Sequence, residues 1–359
     1  MRVALVHDYL VQDGGAERVL LALHEIFPEA PIFTLFHHPD RLHPGFKGAD
    51  IRASKLNGLP FSQHHYQWFL PFMAEAIESF DLTGFDLVIS SSSSFAKGVI
   101  AAPGSRHICY CHTPTRFLWQ ERLGYVNDLP APKILKKFLP HYLHQLRQWD
   151  RLAADRPDTL VTNSRTSQAR IRRYYQRDAE VIQPPVDVEQ IPLGTGPGKY
   201  WLAGGRFVGY KRFDLVVQAL AKLDFPLKIF GQGPEEKRLR RLAGPKTEFL
   251  GRIDDATKYR LFGEAIAFLY PQVEDWGIAA VEAMAAGKPV IALGQGGATE
   301  TVVDGVTGKF FEIQCWEDIA DAVLKFSPDQ YDPVRIREHA RQFSKEKFQE
   351  KIRRLINVT

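Results

Sequence analysis

Two carboxylates, Glu274 and Glu282, stand eight positions apart in the stretch EDWGIAAVEAMAAGKP (274–289), with Gly277 between them. Residues 278–286 favour a helix, Gly287 is placed as its C-terminal stop, and Pro289 lies just beyond. Every residue of that helix except Glu282 is apolar, and a helix apolar all round is a buried one. Glu282 is therefore carried into an interior, where leaving it unpaired costs several kcal/mol, so it needs a partner or a ligand. Gly277 lets a ligand approach the helix N-terminus, where free N–H groups and the macrodipole favour an anion. One anion-binding terminus flanked by two carboxylates suits a ligand with both phosphates and hydroxyls. The plainer alternative is a structural helix whose Glu282 pairs with a nearby Arg or Lys.

Three further groups have the residue types for the same chemistry. GGRFVGYKRFDLVVQAL (204–220) puts Arg206 and Lys211 beside a glycine turn ahead of a helix. That is a phosphate clamp in outline, with a planar fork from Arg and a mobile point charge from Lys; a solvated loop would also account for it. In YCHTPTRFLW (110–119), His112 ends a strand just before a Thr113–Pro114 turn. Gly14–Gly15 follows the first strand, at the edge where open α/β sheets bind ligands, although a tight turn needs no ligand to explain it.

The pattern Glu274-x7-Glu282, followed by AMAAGKPVIA and GGATETVVDGVTGKFF, resembles the signature of glycosyltransferase family 4. Those are retaining transferases of the GT-B fold that use nucleotide-sugar donors. Trp276 stands where the family usually carries Phe, which keeps an aromatic wall. The resemblance implies an α/β protein of two Rossmann-like domains with a donor cleft between them. It assigns Glu274 to the hydroxyls of the donor sugar and Glu282 to the ribose. It assigns Arg206, Lys211 and the backbone of Gly277, Ile278 and Ala279 to the diphosphate. Gly14 and Gly15 would lie against the diphosphate and sugar, His112 beside the transferred sugar, and Arg252 and Ile253 against the base. Gly296, Gly297, Thr299 and Glu300 form the motif's later loop, and Arg116 and Trp119 are candidates for the acceptor side.

In that scheme the transition state is oxocarbenium-like, and the acceptor hydroxyl attacks from the side the diphosphate leaves. Lys211 stabilises the charge that develops on the leaving phosphate. The clamp and the helix terminus do the work of a metal, so neither metal nor cofactor is expected. HDYLVQDGGAERV (7–19) and CHTPTRFLW (111–119) are most similar to bacterial mannosyltransferases of surface polysaccharide assembly. That implies GDP-mannose as donor and a saccharide or polyprenyl-linked acceptor. The rivals are an epimerase or phosphorylase of the same fold, the latter needing a pyridoxal-binding lysine, and a non-catalytic sugar-nucleotide-binding subunit. A dinucleotide dehydrogenase lacks its glycine motif in the order strand, turn, helix.

The elements that must position these residues read as alternating strands and helices, hence parallel sheets with helices on both faces. Strands are expected at Val3–Val6, Ile32–Phe36, Asp86–Ser90, Val99–Ala101, His107–Cys111 and Thr159–Asn163. A helix should follow the glycine pair, and another Thr159–Asn163, capped by Ser164 or Thr166. Prolines at 184, 185 and 192 and glycines at 194, 196 and 198 mark a linker, dividing the chain into domains 1–190 and 191–343. A second strand series begins at Tyr200. The final helix, about 344–359, is expected to return to the first domain.

A length of 359 residues suits two domains on a prior of roughly 100–200 residues each. Apolar content of 45% and charged content of 25% are ordinary for a soluble globular protein. No run reaches the ~18 apolar residues of a membrane span, and MRVALVHDYL is too short in its apolar run for a signal peptide, so a cytoplasmic site is expected. Three cysteines exclude a disulfide scaffold; Cys109 and Cys111 read as buried thiols rather than zinc ligands. A net charge of +4 without a recognition motif gives no reason to expect nucleic acid. Residues 133–149 (KILKKFLPHYLHQLRQW) and 64–77 (HHYQWFLPFMAEAI) mix basic and aromatic residues, as in a segment docked peripherally on a bilayer. Ordinary surface helices would look the same.

Overall fold

The computed structural model describes residues 1–120, 133–194 and 196–357, without the side chains of residues 63–64 and 133–138. The chain divides into two units, residues Met1–Gln183 with those from Ile352 onward, and Pro184–Lys351.

The first unit is built on a seven-stranded parallel sheet: β1 (Val3–Leu10), β2 (Ile32–His37), β3 (Ile51–Ala53), β4 (Leu87–Ser92), β5 (Arg106–Cys111), β6 (Thr159–Thr162) and β7 (Glu180–Val181). They lie in the order β3-β2-β1-β4-β5-β6-β7. Covered on both faces, the central strands are near-continuous apolar runs: Ala4, Leu5, Val6, Val88 and Ile89 are all buried. Strands β1 and β4 run past their apolar segments, because His7, Asp8, Ser90 and Ser91 are also buried, with side-chain partners inside the unit. Val99–Ala101, expected as a strand, is not one. It follows a 3-10 turn at Ala96–Gly98 and leads into Pro103–Gly104, which leaves no room for a ladder. Ser164 is the cap of the helix Arg165–Tyr175, its hydroxyl accepting from the Ser167 N–H.

The second unit carries six parallel strands: β8 (Tyr200–Gly204), β9 (Leu227–Phe230), β10 (Thr247–Gly251), β11 (Ala265–Tyr270), β12 (Val290–Leu293) and β13 (Gly308–Phe311), in the order β10-β9-β8-β11-β12-β13. Residues 184–191 belong to this unit. Val186 exchanges backbone hydrogen bonds with Phe343 and Lys345, and Val186, Val188 and Ile191 enter the core around the helix Ile278–Ala285. In both sheets the chain reverses direction beside the first strand, at β1/β4 and β8/β11. These are the switch points where open α/β sheets bind ligands.

The last helix, Lys345–Asn357, begins in the second unit and ends among residues of the first. There Ile352, Leu355 and Ile356 line a small apolar gap with Leu23, Ile89 and Ile108. The Arg106 guanidinium donates to the Leu355 and Ile356 carbonyls.

Lys133–Ala153 forms one helix with Pro140 inside it. Leu143 and Leu146 pack into the first unit's core, and the Trp149 indole donates to Glu78 at 2.7 Å. The lysines of the expected bilayer segment, Lys133, Lys136 and Lys137, lie outside the described side chains, as does His64. Among the described residues no helix is long and apolar enough to cross a membrane.

Candidate active site

In the second unit the sequence-predicted residues follow the C-terminal ends of the strands: Arg206 and Lys211 after β8, Arg252 and Ile253 after β10, Glu274 and Gly277 after β11, and Gly296 and Gly297 after β12. Helix Ile278–Ala285 starts at Gly277, whose φ of 102° is left-handed and strained for any residue with a side chain. A Cβ there would also lie 2.5 Å from the Tyr270 hydroxyl. The helix ends as expected: Gly287, at φ 71°, donates its N–H to the Met284 carbonyl at 2.8 Å.

Glu274, in the loop feeding this helix, is held from both sides. Lys211 Nζ lies 2.8 Å from Oε1, and the Tyr270 hydroxyl donates to Oε2. Lys211 reaches it from the 3-10 turn Gly209–Lys211 after β8. The pair keeps 15% and 19% of its side-chain surface exposed, enough for a ligand to reach both. Tyr270 is fully buried, and burial together with the Glu274 charge pushes its phenol well above the usual range. The later loop packs against the same segment. Gly297 donates its N–H to the Glu274 carbonyl at 2.8 Å, and a Cβ on Gly296 would lie 2.7 Å from that oxygen. These glycines permit close backbone approach and fix the Glu274 loop.

Glu282 has a protein partner. Its Oε1 meets Lys258 Nζ at 2.7 Å, and Lys258 also reaches Asp255 at 3.0 Å. Burial pulls the Lys258 ammonium down, but Glu282 and Asp255 outweigh it and raise it overall. The alternative of an internally paired Glu282 is thus what the structure contains. Arg206 and Arg252 are exposed, and among the described residues Arg206 makes no ion pair. Ile253, Ile278 and Ala279 are partly buried, packed against the core beneath them. Trp276 is 3% exposed and meets Phe343 edge-on at 5.0 Å, so it is a core residue rather than an open wall.

The first unit has its own polar centre, at the C-terminal ends of β1, β4 and β5. His112 Nε2 lies 2.9 Å from Ser91 Oγ, and Ser91 lies against His7 Nδ1, with 3.1 Å to its hydroxyl and to its carbonyl oxygen alike. Beyond it Glu17 is buried at 3%, its Oε1 3.9 Å from His7 Nε2 and its Oε2 without a partner. Gly14 caps the helix Gly15–Ile26, and a Cβ on it would lie 2.9 Å from Glu17 Oε2. Gly14 thus packs against a buried carboxylate. Burial, reinforced by His7, lowers the His112 imidazole to about 3, so it is neutral at any ordinary pH.

Asp8 accepts four backbone N–H groups from Ser93 to Ala96, at 2.5–2.9 Å. Lys97 Nζ is buried on Asp150 at 2.6 Å, and the same carboxylate accepts from Thr115, Trp119 and Tyr175. Trp119 is therefore tied inward, while Arg116 is partly buried. Cys109 and Cys111 are free buried thiols, Cys109 pushed up to about 12 by burial. No three His, Cys, Asp or Glu side chains among the described residues are grouped to hold a metal ion.

Tyr270, Lys258, His7 and Glu17 had no sequence signal. Their importance rests on partners brought close only by the fold. Ser91, in a run of five serines, could have been suspected, since serine is rarely chosen to fill a parallel sheet.

Two family models match, Glycosyltransferase Family 4 over residues 13–190 and Glycosyl transferases group 1 over residues 193–343. The chain belongs to the glycosyltransferases. An uncharacterized glycosyltransferase of Methanocaldococcus jannaschii is 28% identical over 55% of this chain and 58% of its own length. The D-rhamnosyltransferase WbpZ of Pseudomonas aeruginosa is 29% identical over 51% and 52%. The matched stretch thus spans little more than half of these relatives. The alpha-1,3/1,6-mannosyltransferase ALG2 of Candida glabrata is 24% identical, covering 84% of this glycosyltransferase and 78% of ALG2.

Solved structures give the same fold, GT-B. A sucrose-phosphate synthase of Thermosynechococcus elongatus superposes with a TM-score of 0.76 at 17% identity, over 99% of this chain and 98% of that one. Anabaena HepE, solved with UDP-glucose, superposes with a TM-score of 0.72 at 17% identity over the whole of both chains.

Proposed function

We propose that the chain is a retaining hexosyltransferase that takes mannose from GDP-mannose and passes it to a saccharide or polyprenyl-linked saccharide in surface polysaccharide assembly. The observation that carries this reading is the Lys211–Glu274–Tyr270 group ahead of the Gly277 helix terminus. A cation, an ionised carboxylate and free N–H groups stand together there, matching a phosphate, a sugar hydroxyl and a diphosphate oxygen in turn. Mannose is supported by the mannosyltransferase relatives, among them ALG2 and a phosphatidyl-myo-inositol mannosyltransferase of Mycobacterium leprae, 38% identical over 43% of this chain and 47% of its own.

Donor entry exchanges partners. Lys211 leaves Glu274 for the diphosphate, joined by Arg206 and by the N–H groups of Gly277, Ile278 and Ala279; Gly14 and Gly15 lie against the same donor. Glu274, still held by Tyr270, turns its freed oxygen to the sugar hydroxyls. Glu282 shares itself between Lys258 and the ribose, and Arg252 and Ile253 meet the base. His112 serves the transferred sugar. As the diphosphate departs, Lys211 and Arg206 neutralise the growing charge, which is where differential binding accelerates the step. These groups leave no role for a metal, and neither metal nor organic cofactor is required.

Thermal stabilisation by a panel of nucleotide sugars in excess chelator tests the reading, since a ligand that binds only the folded state raises the melting temperature by mass action. GDP-mannose should give the largest shift. A preference for UDP-sugars would overturn the choice of donor, and no shift with any of them would overturn donor binding itself.

A further inference from the structure

The polar centre of the first unit fixes where the protons lie. The Ser91 carbonyl oxygen can only accept, so His7 Nδ1, 3.1 Å from it, must carry a hydrogen. This holds for neutral and protonated His7 alike, because Nδ1–H is present in both. The same Nδ1 lies 3.1 Å from the Ser91 hydroxyl oxygen, which therefore faces a donor and has its own hydrogen to place elsewhere. The atom in reach is His112 Nε2, at 2.9 Å. Nε2 must then accept, and the single ring proton of neutral His112 sits on Nδ1. His7 and Ser91 are 2% and 0% exposed, so no solvent competes for these bonds. Strand register keeps them aligned: His7 pairs with Ser91 across β1 and β4, and the His112 N–H donates to the Ser92 carbonyl at 2.9 Å.

We infer that Ser91 and His7 are positioning residues that lock His112 as its Nδ1–H tautomer, so that the ring offers the transferred sugar a hydrogen-bond donor and cannot serve as a base through Nε2. This rests on the reading that His112 serves the transferred sugar. The role suits retaining transfer in which the leaving phosphate takes the acceptor's proton, because a fixed neutral donor aimed at the sugar needs no reorganisation during the reaction. Every ring bond donates in one direction along the row, from His7 to Ser91 to His112, and such rows strengthen their members.

Nitrogen-15 NMR of the full chain, labelled at histidine, reads the tautomer directly, with the His112 signals assigned by their loss in His112→Asn. Wild type should show a protonated Nδ1 and a bare Nε2; the reverse pattern overturns the inference with no variant needed. Ser91→Ala should mix the tautomers and lower turnover about tenfold, the effect of one misdirected hydrogen bond, with the Michaelis constant for GDP-mannose little changed. Ser91→Thr, which keeps the hydroxyl, should restore both the spectrum and the rate. An unaltered His112 spectrum in folded Ser91→Ala removes the positioning role, and an altered spectrum with unaltered turnover removes its link to catalysis. Failure of wild type to turn over any nucleotide sugar would instead count against the functional reading, since the wild-type spectrum is read without substrate.

Discussion

The two units keep their charges in different ways. In the first, several ionisable groups are buried and satisfied within the unit: Asp8 by four backbone N–H groups, Lys97 and Asp150 by each other at 1% exposure, and His112 by remaining neutral, while Glu17 keeps one buried oxygen without a partner. In the second, Lys211, Glu274, Lys258 and Glu282 keep 12–19% of their side-chain surfaces, and Arg206 is exposed. The lesson is that a polar residue's partner matters less than whether a ligand can take the partner's place. Buried pairs without access hold the fold. In the proposed reaction, pairs with partial access exchange a side chain for a phosphate or a hydroxyl.

Breaking one pair in each unit should separate the two kinds most sharply. Lys97→Met leaves Asp150 charged and buried, which costs about 3–5 kcal/mol. The first unit should melt far below wild type or fail to fold. Lys211→Ala removes a pair that water can reach, so its melting temperature should move little by circular dichroism. Equal losses of stability in both variants would erase the distinction.

Kinetics sharpen the comparison within the second unit. In the proposed reaction Lys211 meets charge that grows as the diphosphate leaves, so Lys211→Ala should lower kcat more than donor affinity. In the same proposal Glu282 meets ribose hydroxyls that do not change, so Glu282→Gln should raise the donor KM about tenfold, as expected for a lost charge-assisted hydrogen bond of roughly 1.5–3 kcal/mol shared with Lys258. Steady-state rates with donor varied and acceptor saturating would show the roles reversed if Lys211→Ala changed only KM and Glu282→Gln only kcat.

Acid should act first on the first unit. Burial lowers His107 to about 4 and His112 to about 3. Unfolded histidine binds its proton near pH ~6.5, so below that pH the unfolded chain holds protons that the folded one excludes. Stability is complete above that pH and falls as the pH drops towards 4, by up to about 1.4 kcal/mol per pH unit for each histidine. Denaturant melts across that range should show it, and substituting His107 by Phe should flatten the fall. A pH-independent midpoint would contradict neutral burial.

The smallest effect concerns the surfaces. The first unit exposes three aromatic residues, Phe61, Trp68 and Phe72, whereas among the described residues the second exposes Tyr210 and otherwise aliphatic side chains. If this face and Lys133, Lys136 and Lys137 dock on a bilayer, binding to anionic vesicles should weaken as salt rises, by about 1 kcal/mol per lysine screened. Salt-insensitive binding, or none, would leave ordinary surface helices.

Sequence carried the second unit further than the first. Gly277 and Gly287 punctuate the helix 278–285 so firmly that its ends are readable directly, and its single acid among apolar residues announces a need for a partner. That partner, Lys258, lies 24 residues upstream, with nothing local to mark it. In the first unit the expected strands stop at Val6 and Ser90 because polar residues follow, yet β1 and β4 continue. His7 and Ser91, 84 residues apart, satisfy each other only once the strands pair. Edge strands β3 and β7 have too few residues for periodicity to register.

The exchange of Lys211 and Glu274 between each other and the donor is tested most directly by calorimetric titration of GDP and GDP-mannose, in chelator, into wild type and Glu274→Ala. Wild type should bind GDP-mannose more tightly than GDP, because Glu274 holds the sugar. In Glu274→Ala that preference should vanish, while GDP, with Lys211 released, binds at least as well as before. A variant that keeps the preference, or a wild type that binds neither ligand, would contradict the account.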